Sequence, residues 1–173
     1  MSPKPAAFAA LLLLPLFCRP AEPSFPEHRL RLHNAHTGER IDVVYRSDGV
    51  YLPEATAKLE SFLRDRRTGD VRPVDPALYD LLDDLLSAVE RPASELDLVC
   101  GYRTPRTNEY LRRRTAGVAK HSFHMRGEAV DVRLPGTPTS RLRDAALALR
   151  RGGVGYYRDS DFLHVDVGPV RRW

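Results

Sequence analysis

Cysteine is almost missing from this chain: Cys18 and Cys100 are the only two in 173 residues. That excludes a disulfide framework and a metal site made of cysteines alone. Any metal site would have to use His and carboxylates. Lysine is nearly as scarce, with Lys4, Lys58 and Lys120 alone, so the cations are almost all Arg. The 27 basic side chains exceed the 23 acidic ones by only four. The Arg runs at 112–114, 150–151 and 171–172 are short and scattered, and no dense basic stripe with interleaved aromatics appears. Nucleic acid is therefore not expected as a partner. The runs read as solvated faces and helix ends, with contacts to some other anionic polymer as the second reading. No apolar run reaches the ~18 residues that cross a bilayer. Repeats and low-complexity segments are absent too. With 42% apolar and 29% charged residues, the chain is neither a disordered tail nor a membrane bundle.

What stands at the front is a short apolar segment. Lys4 supplies one positive charge, and Ala6 to Phe17 is apolar throughout apart from Pro15. That length suits the core of an export signal. Residues 1–21 are expected to form a signal peptide or a retained N-terminal anchor, the only route to a membrane. The cut itself is not defined. Arg19 is a poor −3 residue for a cut after Ala21, and Phe17 departs from the lipoprotein pattern before Cys18. Residues 22–28, with Pro23 and Pro26, read as a linker, and 29–173 as one domain. The expected location is periplasmic or otherwise extracytoplasmic. If Cys18 is removed, Cys100 is alone and no internal disulfide can form.

Arg29–His33 alternates and predicts a strand; Glu39–Arg46 predicts its hairpin partner. Pro53 opens a helix whose apolar face continues to about Thr68-Gly69. Asp75-Pro76 is an N-cap followed by Pro at N1, and the Leu stripe behind it predicts a helix to Val89. Leu96–Cys100 reads as a strand, Thr104–Arg114 as a helix and 116–126 as a loop. Ala129–Leu134 is a strand and Thr139–Arg150 a helix. Val154–Tyr157 and Phe162–Val167 close the pattern as strands. The sum is an α+β domain with a small, mostly antiparallel sheet flanked by helices, expected as a monomer.

Chemistry concentrates in three segments. In the first, Lys120 to Arg133, His124 lies in the loop and Asp131 on the next strand, with Gly127 to turn the backbone between them. The second, Asp161-Phe162-Leu163-His164-Val165-Asp166, holds another imidazole. Two imidazoles and a carboxylate form a ligand set that zinc accepts, with a fourth position open. The bland alternatives are a solvated loop His and a turn-capping Asp. The third, Cys100 to Asn108, places Arg103 at the mouth of a strand. There it can hold a carboxylate or a carbonyl oxygen gaining charge, or be a surface Arg.

Ser122-x-His124-x-x-Gly127-x-Ala129-x-Asp131 resembles the signature of the zinc peptidases that cut D-amino-acid peptide bonds, the LAS or D-Ala-D-Ala peptidase superfamily. Gly101-Tyr102-Arg103-Thr104 is similar to their Gly-Tyr-Arg-Ser segment. Nearly the whole of 33–173 looks closer still to the murein endopeptidase K (YcbK-like) family, through Phe62–Gly69, Gly152–Tyr157 and His164–Arg171. The resemblance implies a hedgehog/D-Ala-D-Ala-peptidase fold and zinc held by His124, Asp131 and His164. It implies the stem peptides of peptidoglycan as substrate, and hydrolysis of their cross-links.

One position departs from that pattern. The dipeptidase branch places a Glu three residues before its last His as general base; here Asp161 stands there, one methylene shorter. Asp166, two residues beyond His164, is the second candidate base and His121 a further catalytic candidate. Arg103 is expected to stabilise the oxyanion or to bind a substrate carboxylate. Two further functional readings stay open. One is a D-alanyl-D-alanine type carboxypeptidase or dipeptidase; the other is a wall-binding module that keeps zinc but does not cut. The type of bond cut is not legible.

Overall fold

The structure is a computed structural model and describes residues 26–115 and 117–173. The leader, Cys18 and most of the linker expected at 22–28 lie outside the described residues. Eight strands form one sheet: β1 (Glu27–Asn34), β2 (Arg40–Ser47), β3 (Val50–Tyr51), β4 (Glu95–Cys100), β5 (Ala129–Arg133), β6 (Gly153–Tyr157), β7 (Phe162–Asp166) and β8 (Arg171–Arg172). Their order is β3-β2-β1-β4-β5-β7-β6-β8. The β1–β4 and β6–β8 pairs are parallel and the other pairs antiparallel. The helices are α1 (Pro53–Phe62), α2 (Pro76–Ala88), α3 (Pro105–Arg112) and α4 (Thr139–Leu149). The class is mixed α and β, as the pattern predicts, but the sheet is larger than the six strands it reveals. Two-residue β3 and β8 are too short to show a period of two. β1 also starts at Glu27, inside the expected linker.

Each of α1, α2 and α3 has Pro at its first turn, where a missing N–H costs nothing. Asp75 caps α2 by accepting from the Ala77 N–H at 2.9 Å, and Thr104 caps α3 by accepting from the Thr107 N–H at 3.1 Å. α1 ends at Phe62, six residues before the expected Thr68-Gly69. The reason is Asp65, which is 1% exposed. Its carboxylate accepts from the Arg67 N–H, the Thr104 N–H and the Thr104 hydroxyl at 2.8–2.9 Å. That turn ties the end of α1 to the start of α3, a tie no local pattern reveals.

The core lies on one face of the sheet. Leu30 and Leu32, Leu96 and Leu98, Val130 and Val132, and Leu163 and Val165 alternate onto that face. They meet Leu78, Leu81, Leu82, Leu85 and Leu86 of α2, and Leu142 and Ala146 of α4. The intervening residues on β5 and β7, Asp131 and His164, therefore face the other way. They are direct cross-strand partners, so the sheet register alone sets them side by side. Among the described residues no helix is long and apolar enough to cross a membrane.

Candidate active site

The face opposite the core carries the candidate site. His124 comes from a short 3-10 turn, Phe123–Arg126, inside the segment expected to be loop. Gly127 ends that turn at φ 74°, and a side chain there would run into the Pro73 carbonyl. Glycine is thus needed both for the conformation and for the close approach. The turn sets His124, fully buried, over Asp131 and His164. His124 Nε2 lies 3.2 Å from Asp131 Oδ1 and 3.1 Å from His164 Nδ1, and His164 Nδ1 lies 2.9 Å from Asp131 Oδ1.

The outer partners decide which lone pairs meet. His124 Nδ1 is 2.8 Å from the Gly101 carbonyl, which can only accept. The proton of a neutral His124 therefore sits on Nδ1 and leaves Nε2 bare. His164 Nε2 is 2.9 Å from Asp166 Oδ2, so its Nδ1 is bare too. Three lone pairs then converge on one point, with no hydrogen shared among them. A divalent cation satisfies all three at once, and outer groups that fix the imidazoles are how such sites are held. Burial lowers the His124 pKa. For Asp131, burial pushes upward, but the two imidazoles outweigh it and hold the carboxyl ionised. For His164, burial pushes downward, but the negative charges of Asp131 and Asp166 beside it outweigh this and raise the pKa.

Cys100 is the residue sequence reasoning passed over. A bulge in β4 shifts the register so that Cys100 pairs with Asp131. Its sulfur forms a group with donor atoms of His124 and Asp131, all within 4.8 Å of one another. The only signal would have been its position just before Gly101-Tyr102-Arg103. Burial, then the charge of Asp131, pushes the thiol pKa up to about 12. His164 offers an imidazole lone pair instead, at 3.1 Å from His124 Nε2 and 2.9 Å from Asp131 Oδ1.

The two carboxylates weighed as general base have different surroundings. Asp161 occupies a turn at φ 48°, a backbone that Asp tolerates better than most residues. There its Oδ1 accepts from the Thr139 hydroxyl at 2.5 Å, at the start of α4. That bond occupies one of its two carboxylate oxygens. Asp166 is fully buried and fully engaged. Besides His164, it accepts from Gly153 and Gly168 N–H groups and from both terminal nitrogens of Arg171. These donors overcome burial and keep it ionised. Asp166 thus meets five donors, His164 Nε2 among them.

His121, Arg103 and two of the three donors, Asp131 and His164, line one cavity. Its volume is about 650 Å³, and Tyr157 and Trp173 line it too. Arg103 Nη2 donates to Ser122 Oγ at 3.3 Å, and its Nε is buried without a partner. Trp173 lies 5.2 Å from the His164 ring and donates from Nε1 to Tyr157 Oη at 3.0 Å. The glycines at 155 and 168 make room for the aromatic wall: a side chain at either would strike Trp173 or Phe123. Neither Tyr157 nor Trp173 was singled out by sequence reasoning.

A buried three-donor cluster at the base of a cleft, with an unpaired cation beside it, is the arrangement of a metal-assisted hydrolase. The chain belongs to the peptidase family described as Peptidoglycan L,D-endopeptidase MepK, which matches residues 23–173. It is 44% identical over 168 residues to the Peptidoglycan L,D-endopeptidase MepK of Escherichia coli (strain K12), covering 95% of this chain and 89% of that protein. The Shigella flexneri protein of the same name matches equally. A Probable peptidoglycan L,D-endopeptidase MepK of Haemophilus influenzae is 40% identical over 151 residues, 87% of this chain and 81% of its own length. No solved structure gives a significant match.

Proposed function

We propose that this protein is a zinc-dependent peptidoglycan endopeptidase that hydrolyses L,D-peptide cross-links of the bacterial cell wall. The observation that carries the metal part is the meeting of three lone pairs about 3 Å apart, with both imidazoles fixed from behind. His124 Nε2, His164 Nδ1 and Asp131 Oδ1 are the proposed ligands. Zinc bound there supplies Lewis acidity, polarising a carbonyl and making water acidic near neutral pH. The substrate and bond type follow from family membership and the names of the relatives.

The chain's own groups then have these tasks. Arg103 offers its guanidinium to the carbonyl oxygen as that oxygen gains charge. His121 lines the cavity and has no hydrogen bond among the described residues, so its imidazole is free to carry a proton between water and the leaving amine. Arg171 holds Asp166, and Asp166 holds the His164 ring in its tautomer. Cutting within a cross-link, rather than at a chain end, is supported by a second cavity that meets the first at Arg103, Asp131 and Phe162. Substrate groups can therefore lie on either side of the donors.

The same reading takes the fold as of the hedgehog/D-Ala-D-Ala-peptidase type, and residues 1–21 as an export signal or anchor that brings a monomeric enzyme to the periplasmic wall. The decisive experiment uses defined cross-linked peptidoglycan fragments. L,D-bonds are cut, cutting stops with chelator, and zinc restores it; His124→Ala neither binds zinc nor cuts. Chelator-resistant cutting, or cutting by the His124→Ala protein, would overturn the metal assignment. Zinc-loaded protein that leaves every fragment whole would support the wall-binding alternative instead.

A further inference from the structure

The segment Phe62–Gly69 has no role in the chemistry above, yet it borders the site. A second cavity, of about 250 Å³, lies over β4 on the far side of Asp131 from Trp173. Arg64, Arg66, Arg67 and Arg103 all line it. Of these, only Arg64 has a carboxylate partner among the described residues, Glu39 at 2.9 Å. Arg67 stacks over the Tyr110 ring at 4.8 Å, and Arg66 has no hydrogen bond or ion pair among the described residues. The lining also holds two carboxylates, Asp65 and Asp131, but the three arginines without a carboxylate partner outnumber them. The cavity is therefore a cationic recess that opens on the metal centre.

The field is visible on a neighbour. His36, in the same lining, has its pKa lowered by burial first and then by Arg66, Arg133 and Arg67. Arg103 adds a geometric sign. It lines both cavities, and its buried Nε has no partner within the chain. A guanidinium with an idle buried N–H beside two unpaired arginines is built to receive a planar anion. At about 250 Å³ the recess falls below the size of whole-ligand pockets and suits one terminal group.

We infer that this recess is an anion subsite: Arg66 and Arg67 hold a free carboxylate of the stem peptide on one side of the cut bond, next to Arg103, which keeps its guanidinium for the scissile carbonyl. The inference rests on the peptidoglycan reading and adds a substrate feature to it. The carboxylate is either the chain-terminal one or a side-chain one, since the recess recognises the same group from both. A carboxylate held there sets the scissile carbonyl against Arg103 and the donors, so binding and alignment are coupled. This gives the scattered surplus of arginine a local purpose.

Three fragments test it: one with both carboxylates free, one amidated at the chain end, and one amidated at the side chain. On the wild type, one of the two amides raises KM about tenfold and identifies the source, with kcat changed less than threefold. Arg66→Ala/Arg67→Ala raises KM for the free fragment by a similar factor, and the effective amide adds nothing further. Arg66→Lys/Arg67→Lys recovers part of the loss. Equal cutting of all three fragments by the wild type would overturn the inference, as would a variant whose loss is the same on every fragment. If the wild type cuts none of them, the peptidoglycan reading fails on its own. Binding of the uncut free and amidated fragments, followed by calorimetry on the wild type and the variant, still decides the subsite.

Discussion

His164 turns a bare nitrogen toward Asp131 because Asp166 takes the other nitrogen, and Asp166 stays put because Arg171 and two backbone N–H groups hold it. Asp166→Asn puts an amide N–H against one of those donors. Its zinc affinity is expected to fall about tenfold, within the range seen for outer partners of metal ligands. Competition with a coloured chelator measures it, and unchanged affinity would remove Asp166 from that role. Asp161 and His121 make the complementary pair. Asp161→Asn should keep cutting within about threefold of wild type, because its carboxyl is bonded to Thr139. His121→Ala should lose about a hundredfold or more in kcat, the usual contribution of a positioned proton carrier. The reverse ranking would restore Asp161 as base.

At the scale of elements, helix starts were legible and ends less so. Pro at the first turn, with Asp75 or Thr104 before it, is a local signal. The early end of α1 depends on a bond from Asp65 to Thr104, 39 residues away, which no window of the sequence contains. Asp65→Asn should destabilise the fold by about 2 kcal/mol, the scale of a hydrogen bond to a charged group. The pH dependence has a definite sign. Burial raises the Asp65 pKa, but its hydrogen bonds outweigh this and the folded value lies below the usual 3.8. Its contribution is thus full above about pH 4 and fades as pH falls toward the folded value. The gap in unfolding free energy between wild type and Asp65→Asn should narrow from pH 6 to pH 3. A gap that stays constant in denaturant titrations would show that the carboxylate charge is not what matters.

The whole molecule puts its core on one sheet face and its chemistry on the other. The donors come from β5, β7 and the turn before β5, so a cation binding them links segments far apart in sequence. Zinc at a thousand times its dissociation constant should stabilise the folded state by about 4 kcal/mol. Melting with and without chelator reads this directly, and His164→Ala should abolish the difference. An equal melting temperature in both conditions would mean the three donors do not form the site.

His124 and Asp131 were readable together because they sit seven residues apart in one motif, and the α+β class was readable because periods of two and 3.6 repeat within single elements. Position along the chain could not tell Asp161 from Asp166. Both flank His164, and it is the fold that separates their surroundings, a left-handed turn bonded to Thr139 for Asp161 and a buried site held by Arg171 for Asp166. Nor could it reveal that Cys100 faces Asp131, since that depends on a bulge. The cationic recess is likewise built from α1's end and β4, brought together by Asp65. Local chemistry depends on neighbours in sequence, while convergence of donors depends on strand register and long-range hydrogen bonds. Those exist only once the chain has folded.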